Sequence, residues 1–243
     1  MPTLRRIFNE LKDDKEAAFI FDLDCTLVDT RPLYDQMADN GARLVMEYTD
    51  MNYEQAMAAV DSALEDYNGY VREAFEERYN IPGDITVDRV YDPDTMDLSL
   101  ISVPSYVHDL LDSIQGKVYI YTNSTEKYAN AIMDFLGLTD HVDGTFGTDS
   151  LDHTRKPAKR SFDLFTQKTD LDPAKTWFFE DSLENLSMAR SFGWHTVLTT
   201  EFLSGNLHEK ERQELSVHVD RIIESLDELL PSIGPQPKAR LRL

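Results

Sequence analysis

FIFDLDCTLVDT, residues 19–30, completes an apolar run (Ala17, Ala18, Phe19, Ile20, Phe21) with two carboxylates two positions apart, Asp22 and Asp24. Side chains alternate along a strand, so this spacing predicts that both carboxylates point to one side. At the C-terminal end of a strand in an α/β sheet they face the crevice where such folds bind ligands. Carboxylates this close repel one another, and Mg²⁺, a hard cation that prefers oxygen ligands, relieves the repulsion. The bland alternative is a strand that ends in an Asp-rich turn. Three motifs further along the chain weigh against it.

Outward from this stretch, residues 4–15 read as a short amphipathic helix leading into the first strand. From Pro32 to about Asn80 the apolar residues recur at spacings of three and four: Leu33, Met37, Leu44, then Met57, Val60, Leu64, then Val71 and Phe75. That period is helical. IPGDITVDRVYDPDT (81–95) is turn-rich and reads as a connection. From Pro104 helix and strand alternate. The segments KVYIY (117–121), GTFG (144–147), TWFFE (176–180) and WHTVLT (194–199) read as strands between helical patterns. Repeated βα units predict an α/β fold, a doubly wound parallel, Rossmann-like sheet. Residues 1–30 and 104–243 then form the core, and 31–103 an all-helical cap inserted after the first strand. The tail after Pro231 reads as disordered.

The chain has 243 residues, 45 acidic against 24 basic, and a formal charge of -21. Such a surface repels a phosphate backbone, so nucleic acid is not an expected partner, whereas a small phosphorylated substrate remains compatible with it. Cys25 is the only cysteine, which excludes an internal disulfide, and its thiol reads as small and partly buried. No apolar run has the length of a signal peptide or a membrane span, so a cytoplasmic protein without a membrane partner, monomer or homodimer, is expected. The six histidines fit no metal-ligand spacing.

Four short motifs fall at predicted strand ends or just before helices: Asp22/Asp24, Thr122-Asn123-Ser124, Lys156-Pro157 and Glu180-Asp181-Ser182. Taken singly, the second is a helix cap, the third part of a solvated charge run and the fourth a set of helix N-terminal charges. Together they offer a carboxylate nucleophile, a second carboxylate, hydroxyl and amide donors, one cation and an acidic metal site. Phosphoryl transfer needs these parts.

In this order the motifs resemble the four signatures of the haloacid dehalogenase superfamily of phosphohydrolases, over nearly the whole chain. The cap segment EDYNGYVREAFEERYNIP, the YTNS strand end and EDSLENL with Asn185 look most like its pyrimidine 5′-nucleotidases. Val28 stands where those enzymes carry an aromatic, as in the phosphoglycolate type, which keeps a phosphoglycolate or sugar-phosphate phosphatase as the alternative. A catalytically silent phosphate-binding module is a more distant one. The resemblance implies that Asp22 attacks phosphorus to form an aspartyl-phosphate and that Asp24 is the acid and then the base. Mg²⁺ is held by Asp22, the Asp24 carbonyl and Asp181. Thr122, Asn123 and Lys156 bind the phosphoryl group, and Glu180, Ser182 and Asn185 support the shell. The implied substrate is a nucleoside monophosphate, with the cap tyrosines Tyr48, Tyr53, Tyr67, Tyr70 and Tyr79 as candidates to stack on its base.

Overall fold

A computed structural model describes residues 4–67, 71–203 and 214–230. Among the described residues six strands form one parallel sheet: β1 (Ala18–Phe21), β2 (Lys117–Tyr121), β3 (Gly144–Phe146), β4 (Thr176–Glu180), β5 (His195–Thr199) and β6 (Arg221–Ile223). Their order is β3-β2-β1-β4-β5-β6. The order reverses at β1, which pairs with β2 on one side and β4 on the other, Phe21 lying opposite both Ile120 and Phe179. A reversal point of this kind opens a crevice at the strands' C-terminal ends.

Both faces of the sheet are covered, so its strands read as continuous apolar runs and the period of two appears only in the packing. Phe19, Phe21, Val118, Ile120, Trp177 and Phe179 belong to one core cluster. Ile20, Tyr121, Phe178 and Leu198 belong to the other, with Phe162 and Phe165 from α8 (Lys159–Thr169). Phe21 stacks on Phe179 at 4.7 Å on the first face, and Tyr121 on Phe165 at 4.6 Å on the second.

Between β1 and β2 the chain runs through α2 (Tyr34–Tyr48), α3 (Tyr53–Asp66), α4 (Val71–Tyr79) and α5 (Gly83–Val90), and then α6 (Ser105–Asp112). The helical insertion is present. Local expectations need correction at three places. Within IPGDITVDRVYDPDT, Gly83–Val90 form α5 rather than part of a connection, with Thr86, Val87 and Val90 buried. Pro82 precedes the first turn, where a missing N–H is harmless, so the Pro-Gly pair starts a helix instead of breaking one. The strand β6 is also unforeseen: three residues carry too little periodicity to register, and its position depends on Asp220 accepting from the Thr196 N–H at 2.9 Å. The first helix, α1 (Leu4–Leu11), is shorter than expected. The tail after Pro231 lies outside the described residues.

Among the described residues no helix is long and apolar enough to cross a membrane.

Candidate active site

β1 stops at Phe21, and Asp22 continues the ladder by one rung, its N–H donating to the Phe179 carbonyl at 2.9 Å. The backbone then turns. The Leu27 and Val28 N–H groups both donate to the Leu23 carbonyl, at 3.1 and 3.0 Å, and Cys25 takes a left-handed φ of +59°. Asp22 and Asp24 do meet at one cavity. What brings Asp24 there is this turn rather than the alternation of a strand. The Cys25 thiol lies 3.2 Å from the Tyr34 hydroxyl, and burial pushes its pKa up to about 11, so it stays a thiol at neutral pH.

Among the described residues Lys156 is the most enclosed charge, with 0% of its surface exposed. Its Nζ donates to Asp22 Oδ1 at 2.7 Å, to Glu180 Oε2 at 2.6 Å and to the Tyr121 carbonyl at 2.7 Å. Burial works against its charge, and the two carboxylates more than offset that, so its pKa is raised. The loop that carries it is held by Asn123, whose side chain accepts from the Lys156 N–H at 2.7 Å and donates to the Lys156 carbonyl at 3.1 Å. Asn123 thus has a positioning contact that its place in the motif does not disclose. The charge run around Lys156 has two fates: Lys159 pairs with Asp163 on the surface, while Lys156 points inward.

Asp24 sits in a different environment, between hydroxyls. Tyr128 donates to its Oδ1 at 2.9 Å and Thr122 to its Oδ2 at 3.3 Å. Burial raises its pKa, and those hydrogen bonds only partly counter the shift. Tyr128, on α7 (Glu126–Phe135), escapes the sequence reading because its position fits the helix's apolar face, and its ring is indeed buried. Only the tertiary fold shows where the hydroxyl ends. The Thr122 hydroxyl also lies 2.9 Å from that of Ser124.

Asp22, Glu180 and Asp181 each offer a carboxylate oxygen, all within 4.8 Å of one another. Burial and then Glu180 push the Asp22 pKa up to about 8, and burial, Glu180 and Asp22 push that of Asp181 up to about 9. Three carboxylates against one ammonium leave surplus negative charge, which a proton or a divalent cation offsets. An all-oxygen donor set of this kind fits Mg²⁺. Glu180 is already committed to protein groups, since Oε2 accepts from Lys156 and Oε1 from the Ser182 N–H at 3.1 Å. Ser182 caps α9 (Leu183–Ser191) through the Asn185 N–H. The Asn185 side-chain oxygen is buried at the cavity and has no hydrogen-bond partner among the described residues.

These shifts make stability depend on pH. In the unfolded chain both aspartates titrate near ~3.9. In the metal-free fold they hold protons up to about 8 and 9. Their contribution is complete below the unfolded value and is lost as pH rises through the folded values. After chelation the melting temperature should fall between pH 5 and pH 8.5. Added Mg²⁺ should raise it by several degrees at pH 8 and by less at pH 5. Thermal melts at both pH values check this, and an equal Mg²⁺ shift at both refutes it.

These groups form the floor of a cavity of 410 Å³. Its other walls come from the insertion: Tyr34 and Met37 of α2, Val60 and Leu64 of α3, Val71 and Phe75 of α4, then Val90 and Tyr91 at the end of α5. The described tyrosines among the candidates to stack on a base are elsewhere. Tyr48 and Tyr53 are exposed, Tyr67 bonds Glu77, Tyr79 packs edge-on against Phe75, and Tyr70 lies outside the described residues. Tyr34 and Tyr91 line the cavity instead. Helical spacing assigns a residue to a face of its own helix but not to the cavity, which depends on how four helices pack. His153 borders Lys156 in sequence, but its carbonyl accepts from Arg72 and it does not line the cavity. Trp177 and Trp194 are core residues.

Comparison with known proteins agrees with this architecture. The sequence model of the haloacid dehalogenase-like hydrolases matches residues 16–193. The chain is 26% identical over 190 residues to the fructose-1-phosphate phosphatase YqaB of Escherichia coli (strain K12), covering 76% of this chain and 96% of that protein. A phosphatase of the same superfamily from Thermococcus onnurineus superposes with a TM-score of 0.61 at 18% identity, over 88% of this chain and 95% of the other. The L-2-haloacid dehalogenase of Xanthobacter autotrophicus, with chloropropionic acid covalently bound, superposes with a TM-score of 0.53 at 15% identity, over 88% and 96%. Likeness at that identity concerns the fold alone, and a fold hosts more than one chemistry.

Proposed function

The chain belongs to the haloacid dehalogenase-like hydrolases, and from that premise we propose that it is a Mg²⁺-dependent phosphomonoesterase working through an aspartyl-phosphate on Asp22. The observation that carries this reading is the unequal treatment of two neighbouring carboxyls. Asp22 is bonded to the Lys156 ammonium at 2.7 Å and belongs to the carboxylate cluster where a cation would favour its ionised form, whereas Asp24 lies outside that cluster, is held by the hydroxyls of Tyr128 and Thr122, and has its pKa raised by burial. One is suited to attack, the other to donate a proton. A halide leaving group needs no such acid, but an alkoxide does.

In this reading residues 31–103 act as a cap over the core formed by 1–30 and 104–243. An Asp22 carboxylate oxygen attacks phosphorus in line, the bond to the ester oxygen breaks, and the Asp24 proton passes to that oxygen as the alcohol leaves. Asp24, now ionised, takes a proton from the water that attacks the aspartyl-phosphate. Inorganic phosphate departs and the Asp22 carboxylate is restored. Thr122 and the Asn123 N–H hold the phosphoryl oxygens, and Lys156, bonded to Asp22 from beneath, offsets charge on the nucleophile and the phosphoryl group. Asp22, the Asp24 carbonyl and Asp181 would hold Mg²⁺, supported by Glu180, Ser182 and Asn185. The ion supplies positive charge against the phosphoryl oxygens.

Among substrate classes a sugar phosphate is favoured, on the likeness to a fructose-1-phosphate phosphatase. The nucleotide reading rests on the tyrosine-rich cap segment, and none of its described tyrosines lines the cavity. Phosphate release from a ketohexose 1-phosphate should exceed that from UMP at least tenfold in kcat/KM, only with Mg²⁺ present. A preference for UMP would restore the nucleotidase reading. Full activity after exhaustive chelation would remove the metal from the mechanism.

Tyr128→Phe probes the acid. Without that hydrogen bond the Asp24 carboxylate is less stabilised and its pKa rises further. The alkaline limb of the kcat/KM profile, where Asp24 loses its proton, should therefore move up in pH, with kcat reduced by about tenfold. An unchanged limb would show that Tyr128 serves packing alone.

A further inference from the structure

We infer that the chamber above the reacting carboxylates selects phosphomonoesters of uncharged alcohols and rejects those whose leaving group carries a second anion. This rests on the phosphomonoesterase reading and adds to it the class of leaving group.

The two halves of the cavity differ in chemistry. Its floor is polar throughout, built from Asp22, Asp24, Thr122, Asn123, Glu180 and Asp181. Its walls from the insertion are aliphatic and aromatic, represented by Met37, Val60, Leu64, Val71, Phe75 and Val90. Among the described residues the only hydroxyls on those walls belong to Tyr34 and Tyr91. The Tyr34 hydroxyl lies against the Cys25 thiol at 3.2 Å. The ring of Tyr91 meets that of Tyr128 edge-on at 5.5 Å. No lysine, arginine or histidine lines the cavity among the described residues.

The basic side chains nearby are committed elsewhere. Lys156 lies beneath the floor with three partners. Arg155 bonds Glu73 at 2.7 Å, and Arg72 donates to the His153 carbonyl. Lys127 bridges Asp92 and Asp94 at 2.8 Å each.

A carboxylate or second phosphate carried into this chamber would lose water and gain no counter-charge. An ion without a partner in an apolar site is strongly disfavoured. An uncharged alcohol meets no such penalty, and the C–H face of a sugar packs against Tyr91 and Phe75 while its hydroxyls turn to the polar floor. Anions are thereby excluded by the absence of a cation rather than by size.

The test uses ester pairs that differ in charge and hardly in shape, with the wild-type protein and Mg²⁺. Phosphoglycolamide should be hydrolysed with a kcat/KM at least a hundredfold above that of phosphoglycolate. A ketohexose 1-phosphate should exceed its 1,6-bisphosphate by a similar factor. Leu64→Lys, at a partly exposed wall position from which an ammonium can still reach water, should narrow the amide-to-carboxylate ratio at least tenfold. Leu64→Met should leave the ratio unchanged. Turnover of phosphoglycolate equal to that of its amide overturns the inference while leaving the phosphomonoesterase reading intact. Failure to hydrolyse any ester, charged or neutral, overturns both. If the lysine variant does not fold, the wild-type ratios decide alone.

Discussion

Asp22→Asn should give a folded protein that releases no phosphate, with kcat down by about 10⁴-fold or more. An amide is a poor nucleophile, and the second carboxyl cannot replace it, because Asp24 is held by Tyr128 and Thr122 away from the lysine. The fold should survive, since an asparagine oxygen can still accept from Lys156 at the place of Asp22 Oδ1. Stability should even rise in the absence of metal. The wild-type carboxyl, pushed up to about 8 by burial and by Glu180, ionises unfavourably in alkaline solution, and a neutral isostere removes that load. The Mg²⁺-induced shift in melting temperature should shrink at the same time. Phosphate release, acid-quench trapping of the acyl phosphate and melts at pH 8 are the measurements. Substantial turnover by the variant would refute Asp22 as the nucleophile.

Lys156→Met should lower both stability and activity. Removing one partner from a buried ionic cluster leaves its counter-charges uncompensated, which typically costs about 3–5 kcal/mol. Here two carboxylates, Asp22 and Glu180, lose a hydrogen bond to the same ammonium, and the Tyr121 carbonyl loses its donor. Urea melts at pH 7 should show a loss of that order. Activity should fall by about 10³-fold as charge opposite the phosphoryl group disappears. Lys156→Arg should not restore it. The side chain is fully enclosed and bonds three acceptors through one compact nitrogen, a geometry that the flat, larger guanidinium does not reproduce. Rescue by arginine would reduce the role of Lys156 to charge alone.

KVYIY and TWFFE are strands over the whole of the spans read from their β-branched and aromatic content. Asp22, Thr122, Lys156 and Glu180 come together because each stands at or just beyond a strand end or on the loop leading to α8, and parallel strands deliver those points to one edge. Lys156 shows what such a reading leaves open. Within a cluster of basic residues nothing local separates the one that turns inward from the ones that stay in water. The inward choice depends on Asn123, thirty-three positions away, gripping the loop's backbone.

Local pattern was enough for the fold class, the insertion after β1 and the set of chemical groups at the floor of the cavity. Periodicity and motif position along the chain carry that information, and both can be read within a short window. Long-range packing was needed to show that a left-handed turn rather than strand alternation delivers Asp24, that the Tyr128 hydroxyl reaches it, and that IPGDITVDRV holds a helix. It was needed again to show that Tyr34 and Tyr91 line the cavity, and that Tyr67 of the EDYNGY segment does not. Each of these depends on contacts between residues far apart in the chain. A side chain's helical or strand period gives the direction it points from its own element, but the neighbour it meets is set by how the elements pack.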